Sequence, residues 1–178
     1  MAAPGVRGSR AGTTTASTAE PMSYDLDRFL VGQQGVYEGV LEELRRGRKP
    51  GHWMWFIFPQ VAGLGHSEMS RRFAIGSLAE AREYLDHPVL GARLRESARL
   101  VLDVPDATAA EIFGSTDAIK LRSSMTLFHR ARPDEPVFAQ VLARFYGGIA
   151  DEATDTLLAR PPRDLGGRRA GFGRGGGI

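Results

Sequence analysis

The stretch DLDRFLVGQQGVYEGVLEELRR, residues 25–46, decides between helix and strand for this chain. Leu26, Phe29, Leu30, Gln33, Val36, Tyr37, Val40, Leu41 and Leu44 recur at three- and four-residue spacing. That spacing puts one apolar stripe on one face of a helix and predicts a continuous helix over about 25–46. Ser23 or Asp25 supplies the cap at its start and Gly47 the stop. Gly32, Gly35 and Gly39 inside it each cost roughly 1 kcal/mol against Ala and permit close packing of a neighbouring backbone.

The same pattern repeats downstream with its own punctuation. Ser67 precedes EMSRRFAI, Ser77 precedes LAEAREYL, and Pro88 stands in the first turn of PVLGARLRESARLVLD. Thr108 opens AAEIF, Ser115 or Thr116 opens DAIKLRSSMTLFHR, and Pro136 opens VFAQVLARFY, which stops at Gly147 and Gly148. A last short helix is expected over about 151–159. No convincing run of alternating apolar and polar residues occurs. The fold class predicted is mainly α, one compact multihelical domain over 23–159.

The ends read differently. Residues 1–22 consist of Gly, Ala, Ser, Thr and Pro with almost no large apolar side chain, too little to offset the entropy of ordering, and disorder is expected there. The same holds for 160–178, where GGRRAGFGRGGGI pairs flexible glycine with arginine and one phenylalanine. Such a segment offers weak RNA contact through phosphates and stacking, against the plainer reading of a solvated tail.

The chain has 178 residues, 42% of them hydrophobic, which fits one ordinary domain. The pI of about 9.3 suggests nucleic acid until the charge is located. Arg160, Arg163, Arg168, Arg169 and Arg174 against Asp164 give 160–178 a net +4, and Arg7 and Arg10 against Glu20 give 1–22 a net +1. With +2 overall, the remaining 23–159 carries −3, so the folded part is mildly acidic. No cysteine is present, which excludes disulfides, thiolate metal sites and cysteine nucleophiles and points to a cytoplasmic setting. The longest apolar run, residues 53–58, is far short of the ~20 needed to span a bilayer, and no membrane segment is expected. His66, His87 and His129 stand at no recognised metal-ligand spacing with carboxylates, and neither metal nor cofactor is expected.

Three segments carry the candidate chemistry. HWMWFIFPQ, residues 52–60, holds both tryptophans and must be buried, either as a short strand or as a helical turn. His52 and Gln60 place hydrogen-bonding groups beside the Trp53 and Trp55 rings, a mixture that suits a flat ring ligand as well as a core. GLGHS, residues 63–67, is a glycine-containing turn into a helix start, where Gly63, Gly65, Ser67 and the backbone amides present donors to an anion such as phosphate. In DAIKLRSS, residues 117–124, Asp117, Lys120 and Ser124 form a polar stripe, with Ser123 beside it, on a helix apolar on more than one side. That helix is expected to be largely buried, and its charged pair then needs pairing or a ligand. The alternative for the pair is an intrahelical ion pair at a partly exposed edge.

HWMWFIFPQ, GLGHS and KLRSSMTLF, with HPVLG at residues 87–91 between them, resemble the bacterial family of domain of unknown function 1810 from about residue 24 to 158. Some of its members carry a calpastatin label; that inhibitor is a disordered repeat protein, whereas this chain is patterned to fold. The resemblance implies a compact, mostly helical fold and no established activity. A more distant likeness links HWMWFIFPQ, His87-Pro88-Val89-Leu90 and Phe113-Gly114-Ser115-Thr116-Asp117 to NADAR domains, which act on NAD-derived or ADP-ribosyl compounds, although the closing motif differs. It implies a nucleotide-like ligand.

The leading expectation is therefore a pocket where the three segments meet, binding a nucleotide-like or ADP-ribosyl ligand. His52, Trp53, Trp55, Gln60, Gly63, Gly65, Ser67, Lys120, Ser123 and Ser124 are its candidate contacts. Asp117 is the candidate general base should hydrolysis occur. The alternatives are a non-catalytic module that engages a protein partner and RNA binding through the arginine–glycine tail. The first two differ in whether Trp53, Trp55, Gln60, Lys120 and Ser124 line one open cavity or satisfy one another.

Overall fold

The computed structural model describes residues 24–160, and among them the chain forms ten α-helices and no strand beyond an isolated bridge. The expected tails, Ser23 as a cap, and the arginine–glycine stretch lie outside the described residues, apart from Arg160.

The opening stripe is helical but not continuous. It divides into α1 (Asp27–Gln33) and α2 (Tyr37–Arg45), separated by a turn in which Gly35 takes φ +73°. That left-handed conformation costs a side chain about 1–2 kcal/mol and costs glycine nothing, so the chain breaks there and both halves of the stripe still reach the core. None of the three glycines packs a neighbouring backbone as expected: at Gly32 a Cβ would stand 3.1 Å from the rings of Phe56 and Phe73, and at Gly35 and Gly39 it would meet nothing within 4 Å.

HWMWFIFPQ resolves as a helical turn, α3 (Met54–Ile57), followed by the loop that leads to α4 (Glu68–Arg72). One parallel bridge between Val61 and Ile75 closes this loop, with Ile75 N donating to Gln60 O and Ala62 N to Ile75 O, both at 2.9 Å. Then come α5 (Leu78–Asp86), α6 (Leu90–Asp103) and α7 (Ala109–Phe113). They are followed by α8 (Ser115–Ala131), α9 (Pro136–Tyr146) and α10 (Glu152–Leu158). Ser67, Ser77 and Thr108 cap as read, each accepting a first-turn amide, and Thr108 with Glu111 completes a capping box; Asp151 does the same for α10, whereas α1 and α8 start at Leu26 and Gly114 without a side-chain cap from Asp25, Ser115 or Thr116. Pro88 is displaced by a turn, since α6 begins only at Leu90.

Helix α8 is the axis of the fold. It packs on α5, α7, α9 and α10, and Leu121, Met125, Leu127 and Phe128 are all fully buried. Its apolar residues on several sides are the sequence cause of this central position. Phe29, Tyr84, Phe128 and Phe138 form a run of ring contacts through the core, with centroids 5.0–5.8 Å apart. Trp53, Phe58 and Phe113 form a second group beneath the N-terminal end of α8. Among the described residues no helix is long and apolar enough to cross a membrane.

Candidate functional site

The site is built on a ladder of alternating charges and rings that rises from α2 to the first turns of α8. At its base Glu43 accepts hydrogen bonds from Trp53 Nε1 at 2.7 Å and from Gly51 N at 3.1 Å. This fixes the indole of Trp53, which is 4% exposed. Lys49 follows: its backbone N–H is held by Ile112 O at the end of α7, and its ammonium lies 4.9 Å from the Trp53 ring centroid. Lys49 Nζ donates to Gly51 O and to Asp117 Oδ2, both at 2.6 Å, with only 4% of its side chain exposed. A lysine so buried requires a counter-charge, and Asp117 supplies it. The other oxygen of Asp117 accepts from Lys120 Nζ at 2.8 Å, one turn along α8. Lys120 in turn sits 4.5 Å from the centroid of Trp55, an attractive cation–ring arrangement.

Both carboxylate oxygens of Asp117 are therefore engaged. Burial raises its pKa, but hydrogen bonds from Lys120 and Lys49, reinforced by their charges, more than reverse this and hold it below the ordinary carboxylate value. Lys49 and Lys120 share the Asp117 carboxylate, and of the two ammonium groups it is Lys120 that reaches the pocket.

Lys120 emerges into a cavity of about 480 Å³, within the usual size of small-ligand pockets. The cavity brings together six of the expected contacts: Trp55, Gln60, Gly65, Ser67, Lys120 and Ser123. Each of the three segments contributes. The remaining candidates lie elsewhere. Trp53 is beneath the pocket as part of the core, and Ser124 is fully buried with its hydroxyl unpartnered. His52 is exposed and does not line the cavity. Gly63 lines an adjoining hollow of about 520 Å³, which shares Leu64 and Ala153 with the pocket and ends at Arg160. Asp117 stands behind Lys120 rather than on the wall. Of the five residues whose placement separates a cavity from a self-satisfied scaffold, Trp55, Gln60 and Lys120 line the cavity.

The lining of the pocket also includes residues that the sequence reading did not single out. Asp151 caps α10, its Oδ2 accepting from Thr154 N at 2.9 Å, Thr154 Oγ1 at 2.6 Å and Ser123 Oγ at 3.1 Å. Arg122 holds the preceding segment by donating to Ile149 O and Ala150 O, and Thr126 Oγ1 accepts from Asp151 N. His66 from the loop and Thr116 and the 64% exposed Ile119 from α8 also line it. Ser67 and Ser70 are occupied with each other: Ser67 Oγ accepts from Ser70 N at 3.1 Å and lies 3.0 Å from Ser70 Oγ. Among the described residues no three His, Asp or Glu side chains converge as a metal site.

A crystal structure of a conserved hypothetical protein, Rv1873 from Mycobacterium tuberculosis, is similar to this chain. The two are 51% identical with a TM-score of 0.76, and the match covers 78% of this chain and 99% of that one. No curated protein matches. The model of a family described as "Protein of unknown function (DUF1810)" matches residues 23–158, and the chain belongs to that family.

Proposed function

We propose that this protein binds a small anionic, ring-bearing ligand of the nucleotide-like or ADP-ribosyl class in the pocket between α3, the α3–α4 loop and α8. The observation that carries this reading is the state of Lys120. Its ammonium is anchored by Asp117, lies against the Trp55 ring, and among the described residues spends only one of its three N–H groups on the protein. The donors left over face a cavity whose wall also carries the Gln60 amide, which has no hydrogen-bond partner among the described residues. Such a preset cation beside an indole suits an anion attached to a planar ring.

In this reading Asp117 orients Lys120. A carboxylate with both oxygens engaged and a lowered pKa is a poor proton acceptor, so the proposal is binding, with hydrolysis requiring a different base.

The test is a titration of the full chain with AMP, NAD, ADP-ribose and ribose 5-phosphate, followed by melting temperature and tryptophan emission. A ligand at 100 times its Kd stabilises the native state by ~2.7 kcal/mol. The expected result is a raised melting temperature and altered emission with at least one of the four. Both responses should weaken in Lys120→Met, and the emission change should vanish in Trp55→Phe. No response to any of them in the wild-type chain overturns the reading.

A further inference from the structure

The pocket has a second pole, and this inference rests on the binding reading above. Asp151 and Ser123 stand on the wall with Lys120, but their hydrogen-bonding state differs from that of the lysine ladder. All three bonds to the Asp151 carboxylate fall on Oδ2, and among the described residues Oδ1 accepts none and Asp151 takes part in no ion pair. Ser123 Oγ donates towards Ile119 O at 3.2 Å and Asp151 Oδ2 at 3.1 Å. Its single proton is thereby directed into the protein, which leaves its lone pairs as acceptors. The wall at this point offers two neighbouring acceptors and no free donor.

A ligand group that fits there must donate. A ligand ammonium is one such group, but it would share the cavity with the Lys120 ammonium. Uncharged hydroxyls satisfy a carboxylate oxygen and an adjacent hydroxyl oxygen without that repulsion. Two neighbouring hydroxyls do so best, as when a carboxylate receives the hydroxyls of a ribose in dinucleotide-binding folds. We infer that Asp151 and Ser123 form a hydroxyl-recognising pole, and that the ligand of this pocket carries a vicinal diol, that of a ribosyl group, with its anionic group at Lys120.

The experiment compares AMP with 2′-deoxy-AMP, and ribose 5-phosphate with 2-deoxyribose 5-phosphate, on the full chain, by calorimetric titration. Asp151→Asn is the informative variant. Asparagine caps a helix as well as aspartate does, so α10 keeps its start, while one carboxylate oxygen becomes an amide donor. In the wild-type chain the ribosyl probe of at least one pair should bind about 10-fold or more tightly than its deoxy counterpart, the scale of one hydrogen bond to a charged acceptor. Asp151→Asn should bring that ratio close to one, whereas Lys120→Met should weaken both members of the pair and preserve the ratio. Equal affinities in the wild-type chain, both weakened by Lys120→Met, overturn the diol inference and leave the pocket reading standing. No binding of any probe to the wild-type chain overturns both.

Discussion

Asp117→Asn separates an anchoring aspartate from a catalytic one, because the structure dictates how much stability the substitution should remove. It leaves Lys49 charged with 4% of its side chain exposed and no other ion-pair partner among the described residues. At an effective dielectric of about 20, opposite charges at the observed 2.6 Å attract by roughly 6 kcal/mol. Part of this is lost because Asp117 is itself 18% exposed and because the asparagine oxygen still accepts a hydrogen bond. Breaking one side of a buried ion pair ordinarily costs about 3–5 kcal/mol, and the lower end applies here, about 3 kcal/mol. For a folded region of this size that corresponds to a fall of roughly 10 °C in melting temperature. The assay is urea and thermal unfolding of both chains across pH. The aspartate pKa is depressed in the folded state, so its contribution is fully present above the unfolded value of about 3.8 and is lost as pH falls through the folded pKa. The gap between wild type and variant should therefore be constant near neutrality and close below about pH 4. Lys49→Met combined with Asp117→Asn removes the stranded charge and should recover most of the loss. A single variant within about 1 kcal/mol of wild type at neutral pH refutes the anchoring argument.

Other outcomes follow from separate parts of the fold. Gly91→Ala places a Cβ against the backbone carbonyl oxygen of Leu85, where the end of α5 meets α6, and should cost about 2–3 kcal/mol by chemical denaturation. Phe128→Ala, at the crossing of the Tyr84 and Phe138 ring contacts, should cost about 3–5 kcal/mol. Thr108→Ala removes the side-chain half of the α7 capping box, leaving Glu111 to accept from the backbone N–H at position 108, and should cost about 1 kcal/mol. Trp53→Phe removes one of the two donors to Glu43, leaving Gly51 N, and should lower stability, whereas Trp55→Phe should leave stability nearly unchanged; equal losses in the two would contradict the inner and outer placement of the indoles.

The helical class was legible because its starts and stops are written in local chemistry. Ser67, Ser77, Thr108, Pro136 and Asp151 mark helix beginnings whose cause lies within a few residues. The break at Gly35 was not legible, since an apolar stripe at helical spacing is compatible with a straight helix and with two helices that both face one core. Meeting of the three segments at one cavity could be read from their polar residues, but not which indole would face it. Trp53 and Trp55 are two positions apart on a helical turn, nearly opposite in direction, so sequence shows that one turns inward without saying which. Lys49 escaped notice because it follows Arg45, Arg46 and Arg48 and reads as one more solvated cation. Only the approach of α8 makes it a buried partner. Asp151 was read only as the start of the last short helix; that it also lines the pocket depends on Arg122 and Thr126, distant in sequence, holding the connection in place.

The single bridge between Val61 and Ile75 gives the pocket an uneven mechanical character. One wall is α8, embedded in the core and able to open only with the whole domain. The other, bearing Gly65 and Ser67, is a loop whose two ends are fastened by the amides of Ala62 and Ile75. Those two amides should exchange with solvent through a local opening of lower free energy than global unfolding. A ligand that touches both walls adds a third fastening and must slow that exchange by the same factor by which opening weakens its binding. Hydrogen exchange at two backbone positions thus measures occupancy of the pocket without reference to the chemistry of what fills it.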